Sequence, residues 1–188
     1  MTFRPRYFHV VDFEATCCDE GSVPREEMEI IEVGAVLVDG NSLRPLGEFQ
    51  SFVRPVRHPV LTSFCRELTR ITQQDVDAAP PFAQVLNEWR KWAEPFEGSV
   101  FSSWGSYDFH QLEQDCRFHR LPNPFMPGHI NLKAEFSRRI GQRRRFGLAG
   151  ALSRAGLTLE GTHHRGIDDA RNIVRLLPFL VESEPHAG

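Results

Sequence analysis

The sequence predicts an α/β fold: one mixed β-sheet, an antiparallel meander followed by parallel strands, flanked by α-helices in a single domain. Three observations carry this. Three β-branched or alternating apolar runs come first, at residues 8–11, 29–38 and 47–53, with short connections. Two shorter strand-like runs, at residues 100–104 and 129–132, follow among helical stretches. A length of 188 residues suits one ordinary domain, here 1–188 with its core at about 7–181.

The first run, FHVV, leads into Asp12-Phe13-Glu14. A polar loop holding Gly21 and Pro24 precedes the second run, EIIEVGAVLV. Gly40-Asn41 turns the chain, and GEFQSFV alternates apolar and polar residues as a third strand antiparallel to the second. Pro55 and Pro59 end it. Thr62-Ser63 then cap a short helix through Leu68, and Thr72 or Gln73 starts another that stops before Pro80-Pro81. Phe82, Val85, Leu86, Trp89, Trp92 and Ala93 have helical spacing over residues 82–96, with Pro81 in the first-turn position that tolerates it. After the strand at 100–104, Ser106 caps a helix reaching about His119. Pro122, Pro124 and Pro127 stiffen the next loop. A strand at 129–132, a helix through Ile140, a small-residue helix at 147–155 ended by Gly156, and a polar loop at 161–166 complete the order. The last helix is expected from Ile167 to Val181.

Composition narrows the function classes. Hydrophobic residues make up 40% and charged ones 25%, the balance of a soluble globular chain. No apolar run approaches the ~20 residues a membrane helix needs, and no apolar segment before the first strand reads as a signal peptide. Cys17, Cys18, Cys65 and Cys116 fit no zinc spacing, so reduced thiols in a cytoplasmic protein are expected. A net charge of −3 argues against a nonspecific nucleic-acid coat protein. It is compatible with a nucleic-acid enzyme, which gathers acids at its metal site and bases beside it. The basic cluster Arg138, Arg139, Arg143, Arg144, Arg145 and Arg154 fits either a solvated face or phosphate contacts.

The acids carry the chemistry. Side chains alternate along a strand, so Asp12 and Glu14 share a face. Two carboxylates there repel and are costly to desolvate, and a hard divalent cation such as Mg²⁺ or Mn²⁺ removes that cost. Alone, the pair also fits a strand emerging into solvent. Asp108 follows the strand at 100–104 at a strand-to-helix turn, the kind of place where α/β sheets bind ligands, and equally where a helix dipole favours an acid. The stretch His163-His164-Arg165-Gly166-Ile167-Asp168-Asp169 offers two His-to-Asp pairings of equal spacing. At about 100° per residue the stripe Ile167, Ala170, Ile173, Val174, Leu177, Leu180 and Val181 puts Asp169 at its edge and Asp168 nearly opposite. An inward acid needs a partner, so Asp169 is the metal-ligand candidate, and His164, correspondingly spaced, the general-base candidate. Either histidine alone reads equally as an exposed loop residue.

Together these places resemble the DEDDh group of 3′–5′ exonucleases, and in detail the ERI-1-like exoribonucleases. Asp12-Phe13-Glu14-Ala15-Thr16-Cys17 is similar to their first motif, Leu68-Thr69 with Ile71-Thr72-Gln73 to their LT-x-I-T-Q stretch, Ser103-Trp104-Gly105-Ser106-Tyr107-Asp108 to the second, and His164 through Asn172 to the third. The resemblance spans about Tyr7 to Leu180 and implies an RNase H-like fold. It implies two Mg²⁺ or Mn²⁺ ions on Asp12, Glu14, Asp108 and Asp169, with His164 as general base. It also implies a substrate that is single-stranded or has a 3′ overhang, RNA ahead of DNA, trimmed to nucleoside 5′-monophosphates. The Glu14-Ala15-Thr16 backbone would lie against the terminal sugar, and Tyr107 would stack on a base or pack in the core. Two features depart from the pattern: Arg70 stands where the family often has Gly, and no accessory nucleic-acid domain accompanies the core. Two rival readings are a catalytically inactive nucleic-acid-binding module and a metal-dependent hydrolase of small nucleotides. The complete set of four acids and a histidine argues against the first. The lack of a phosphate-cradling Gly-rich loop weighs against the second.

Overall fold

β1 (Tyr7–Ala15) is buried on both faces, which makes it a central strand. A computed structural model describes residues 4–126 and 128–181; Pro127 of the proline loop lies outside the described residues. β2 (Ile30–Asp39) pairs antiparallel with β1, and β3 (Pro45–Phe52) antiparallel with β2. β4 (Ser99–Ser103) runs parallel to β1 on its other side, and β5 (His129–Asn131) parallel to β4. The order β3-β2-β1-β4-β5 is the expected meander extended by parallel strands.

Seven α-helices are present among the described residues: α1 (Ser63–Thr69), α2 (Gln73–Asp77), α3 (Phe82–Ala93), α4 (Tyr107–Phe118), α5 (Leu132–Arg139), α6 (Leu148–Arg154) and α7 (Gly166–Leu176). Alternate β1 side chains go to opposite layers. Phe8 and Val10 join Ile167, Ala170, Ile173 and Val174 of α7 on one face. Val11 and Phe13 join Phe82, Val85, Leu86 and Trp89 of α3 on the other. Each such large side chain stabilises the fold by about 1.5–3 kcal/mol. No helix of the described residues is long and apolar enough to cross a membrane.

α7 approaches the sheet unusually closely. A Cβ on Gly34 of β2 would fall 2.1 Å from the Gly166 carbonyl carbon, and one on Gly166 would fall 2.8 Å from the Asp12 carbonyl oxygen. Two glycines meeting backbone to backbone therefore bring the start of α7 against the acidic end of β1.

Two helix ends and one cap differ from expectation. The last helix ends at Leu176, and residues Leu177–Phe179 form a 3-10 turn, because Pro178 lacks the N–H that would continue the ladder. Leu180 and Val181 are nonetheless buried in the same core. For the same reason α3 stops at Ala93 and a 3-10 turn, Glu94–Phe96, carries Pro95. Ser106 occupies the N-cap position of α4 without a side-chain cap; its hydroxyl accepts instead from Asn131 Nδ2 at 3.0 Å.

Candidate active site

The carboxyl ends of β1 and β4 open into a cavity of about 310 Å³. Its lining includes Asp12, Glu14, Tyr107, Asp108, His163, His164 and Asp169. A larger cavity of about 610 Å³ lies at the opposite end of β4, against Ser99 and Val100, and gathers none of these groups.

β1 runs on through both acids, so the alternation of the strand delivers Asp12 and Glu14 to one face. Asp169, in the first turn of α7, is 3% exposed and meets them there. One carboxylate oxygen from each of Asp12, Glu14 and Asp169 lies within 4.8 Å of the others. Asp108 arrives from the first turn of α4. Its Oδ1 accepts from the backbone N–H of Phe13 at 3.1 Å, which pins the helix start between the two β1 acids.

Buried together, these groups resist ionising. Burial first, and then Asp108, Glu14 and Asp169, raise the Asp12 carboxyl well above its ordinary range. Burial, with Asp169 and Glu32 next, pushes Glu14 up to about 9. Asp108 is raised to about 6 by burial, against the Phe13 N–H bond that lowers it. An all-oxygen set of this kind suits hard divalent cations, whose charge would oppose the same repulsion.

The two histidines differ in their contacts. His163 Nδ1 lies 3.0 and 2.9 Å from the two oxygens of Asp169. His164 reaches Asp169 through its backbone N–H, 3.0 Å from Oδ2, and takes the left-handed conformation (φ 62°) to do so. The two rings stack with centroids 4.0 Å apart. Burial and then His163 lower the His164 pKa, so its ring is neutral near pH 7. Asp168 does not line the cavity; it accepts from Thr162 N–H at 2.9 Å and pairs with Arg171 at 3.0 Å.

Of the other residues singled out from sequence, Ala15 lines the cavity, and Tyr107 stands at its rim, 37% exposed and outside the core. Thr16 is buried and does not line it; its Oγ1 accepts from the Glu29 N–H at 2.9 Å. Glu32 escaped the sequence reading. It is fully buried opposite Glu14 in the β1–β2 register, pairs with Arg165 at 3.0 Å and accepts the Gly166 N–H at 3.1 Å, which holds the start of α7. A glutamate inside the otherwise apolar EIIEVGAVLV run was the available signal.

Comparison with known proteins agrees with this geometry. Residues 9–177 match the RNase T family model, described as an exonuclease. The chain is 34% identical to human ERI1 exoribonuclease 2, over 90% of this chain and 28% of that protein, so it spans about a quarter of that relative's length. It is 33% identical to the probable 3′–5′ exonuclease KapD of Bacillus subtilis, over 94% of this chain and 85% of that one. The nuclease domain of 3′hExo, a DEDDh family member solved with rAMP, superposes with a TM-score of 0.86 at 33% identity, covering 98% of this chain and 99% of that one. The fold is thus RNase H-like, as the motifs implied. With the family match running from the first acidic strand through the last helix, the chain belongs to the RNase T exonucleases of the DEDDh type.

Proposed function

We propose that this chain is a metal-dependent 3′–5′ exonuclease that removes nucleoside 5′-monophosphates from the 3′ end of a nucleic-acid strand, RNA ahead of DNA. The observation that carries the reading is the convergence of Asp12, Glu14 and Asp169 within 4.8 Å, with Asp108 beside them and two histidines at the mouth. The cavity, about 310 Å³, is at the small end of ligand sites and suits one terminal nucleotide.

Asp12, Glu14, Asp108 and Asp169 would hold two Mg²⁺ or Mn²⁺ ions. Such ions, when bound, supply charge stabilisation to the attacking and leaving oxygens of a phosphodiester. His164 takes a proton from the attacking water at a ring nitrogen, a role that its neutral form permits. Asp108 keeps its place through the Phe13 N–H. Glu32 and Arg165 fix the start of α7, and with it Asp169. Ala15 backs the terminal sugar, and Tyr107, half-exposed at the rim, offers its ring to a base.

The arginine tract gives the strand a path. Arg143, Arg144, Arg145 and Arg154 are exposed, and no carboxylate of the described residues pairs with them. Arg144 and Arg154 flank the Phe146 ring at 6.0 and 4.9 Å, and the Phe146 carbonyl accepts from Trp104 Nε1 in the cavity wall. Phosphates upstream of the terminal nucleotide would run over this tract. RNA is favoured because the 3′hExo domain was solved with rAMP. A cytoplasmic location suits the four free thiols. Comparing turnover of a linear oligonucleotide, its circular form and a free nucleotide tests the reading. Only the linear strand should be consumed; cleavage of the circle or of the free nucleotide alone would contradict it.

A further inference from the structure

Four cysteines are free, and they are not equivalent. Cys116 is buried in the α3 side of the core. Cys18 is occupied by its own turn, where its sulfur takes the Val23 N–H at 3.1 Å. Cys17 and Cys65 instead meet. Cys17, half-buried, lines the cavity next to Ala15 and packs against the small cluster of Ile31, Leu61, Cys65, Ile71 and Val76. Cys17 packs on the cluster that holds Cys65, and each thiol shifts the other's ionisation: Cys65 is lowered to about 7, while Cys17 is raised. The Cys65 thiol also donates to the Ala15 carbonyl at 3.6 Å. Thr62 ties the two backbones together: its hydroxyl donates to the Cys17 carbonyl at 2.7 Å and accepts the Cys65 N–H at 3.0 Å.

We infer that Cys17 and Cys65 form an oxidisable dithiol that closes into a disulfide beneath the active-site wall and slows the enzyme until it is reduced. A low-molecular-weight disulfide such as oxidised glutathione is the oxidant. Cys17 is the reachable sulfur, because Cys65 is fully buried. The Cys65 thiolate, the more acidic of the pair, takes the Cys17 proton, and the Cys17 sulfur then attacks one sulfur of the oxidant, breaks its S–S bond and releases one thiol. The Cys65 thiolate then attacks the Cys17 sulfur of the mixed disulfide and releases the second thiol. Two protein thiols become one disulfide, two protons leave them, and the oxidant takes up two electrons as two thiols.

The bond has a structural consequence. The two sulfurs must close to about 2.05 Å. Cys65 is anchored in its cluster, so Cys17 moves and draws the Ala15–Cys17 wall away from the cavity. A shift of about 1 Å in a positioning wall costs on the order of 10²-fold in rate. The rate effect rests on the exonuclease reading; the bond itself does not.

The experiment treats the full chain with oxidised glutathione, maps disulfides by non-reducing peptide mass analysis, and measures digestion of a 3′-labelled strand before and after dithiothreitol. The expected result is a Cys17–Cys65 cross-linked peptide, a rate at least about tenfold lower, and full recovery on reduction. Cys65→Ser and Cys65→Ala should both keep the basal rate and lose the sensitivity, while Cys18→Ser and Cys116→Ser stay sensitive. Absence of the cross-link, a cross-link without loss of rate, or equal loss in both Cys65 variants would overturn the inference. If the reduced protein digests nothing, the exonuclease reading has failed, and the peptide map alone decides whether the dithiol exists.

Discussion

His163 Nδ1 lies 2.9 Å from Asp169 Oδ2, while His164 touches the same carboxylate only through its backbone N–H. An oxygen that accepts an imidazole N–H has fewer lone pairs left for a cation. The His163 side chain is therefore expected to give way when ions are held, and the His164 ring, neutral and free of that bond, to receive the proton. His164→Ala should lose about 10²–10⁴-fold in single-turnover digestion. Asp169→Asn should lose nearly all turnover. His163→Ala and Asp168→Asn should stay within about tenfold of the parent, and His163→Ala should reach its rate at lower Mg²⁺. Loss confined to His163→Ala would reverse the two histidine roles.

The close approach of Gly34 and Gly166 predicts a packing failure with a functional readout. Gly34→Ala puts a methyl 2.1 Å from the Gly166 carbonyl carbon, so α7 must move. Overpacking of this kind costs about 1–3 kcal/mol. Thermal unfolding should fall accordingly, and turnover with it, since α7 carries Asp169. Gly150→Ala in α6 is the control: nothing lies within 4 Å of its added carbon, and the helix should gain about 0.5–1 kcal/mol.

Arg70 follows α1 in the left-handed conformation, at φ 60° and ψ 13°. That conformation is one glycine adopts without strain, in keeping with the glycine that the resemblance leads one to expect here. Arg70→Gly should stabilise the protein by about 1 kcal/mol, read as a higher Tm. An unchanged or lower Tm would show that the arginine side chain contributes more than its backbone costs.

His9 sets an acid limit. It is fully buried between Trp89, whose Nε1 donates to His9 Nε2 at 3.0 Å, and Phe125. Burial lowers its pKa from 6.5 to about 3. In the unfolded chain the ring takes a proton below about pH 6.5; in the folded chain it stays neutral to about 3. The stability that a neutral His9 supplies is complete above pH 6.5 and is lost as pH falls through that window, at up to about 1.4 kcal/mol per pH unit. Chemical denaturation at pH 7, 6 and 5 should show the decline, and His9→Gln should flatten it. An equal slope in the variant would place the acid sensitivity elsewhere.

Much of this was legible in the sequence because it depends on period. The period-two strand brings Asp12 and Glu14 to one face, and the helical stripe turns Asp169 inward and Asp168 outward. What was not legible depends on tertiary contact. The loop before α7 has no period, so nothing in it announces that His163 contacts Asp169. Glu32 shows its meaning only once α7 brings Arg165 and Gly166 to it. The Thr16 hydroxyl, too, has a partner that only the fold supplies: it accepts from the Glu29 N–H beside the β1–β2 pairing. The apolar pattern continues past Pro178 to Val181, so it reads as one helix, yet Pro178 ends the ladder and Leu180 and Val181 are buried without being helical.

The central claim is a metal-dependent enzyme that begins at a 3′ end. The most direct measurement follows one short RNA, labelled at its 5′ end, through time with Mg²⁺, with EDTA, and with a 3′-phosphate block. The account predicts a ladder shortening from the 3′ end, nucleoside 5′-monophosphates as product, and no digestion with EDTA or with the block. Undiminished digestion in EDTA, or release of the 5′ label as a mononucleotide at the earliest times, would contradict it.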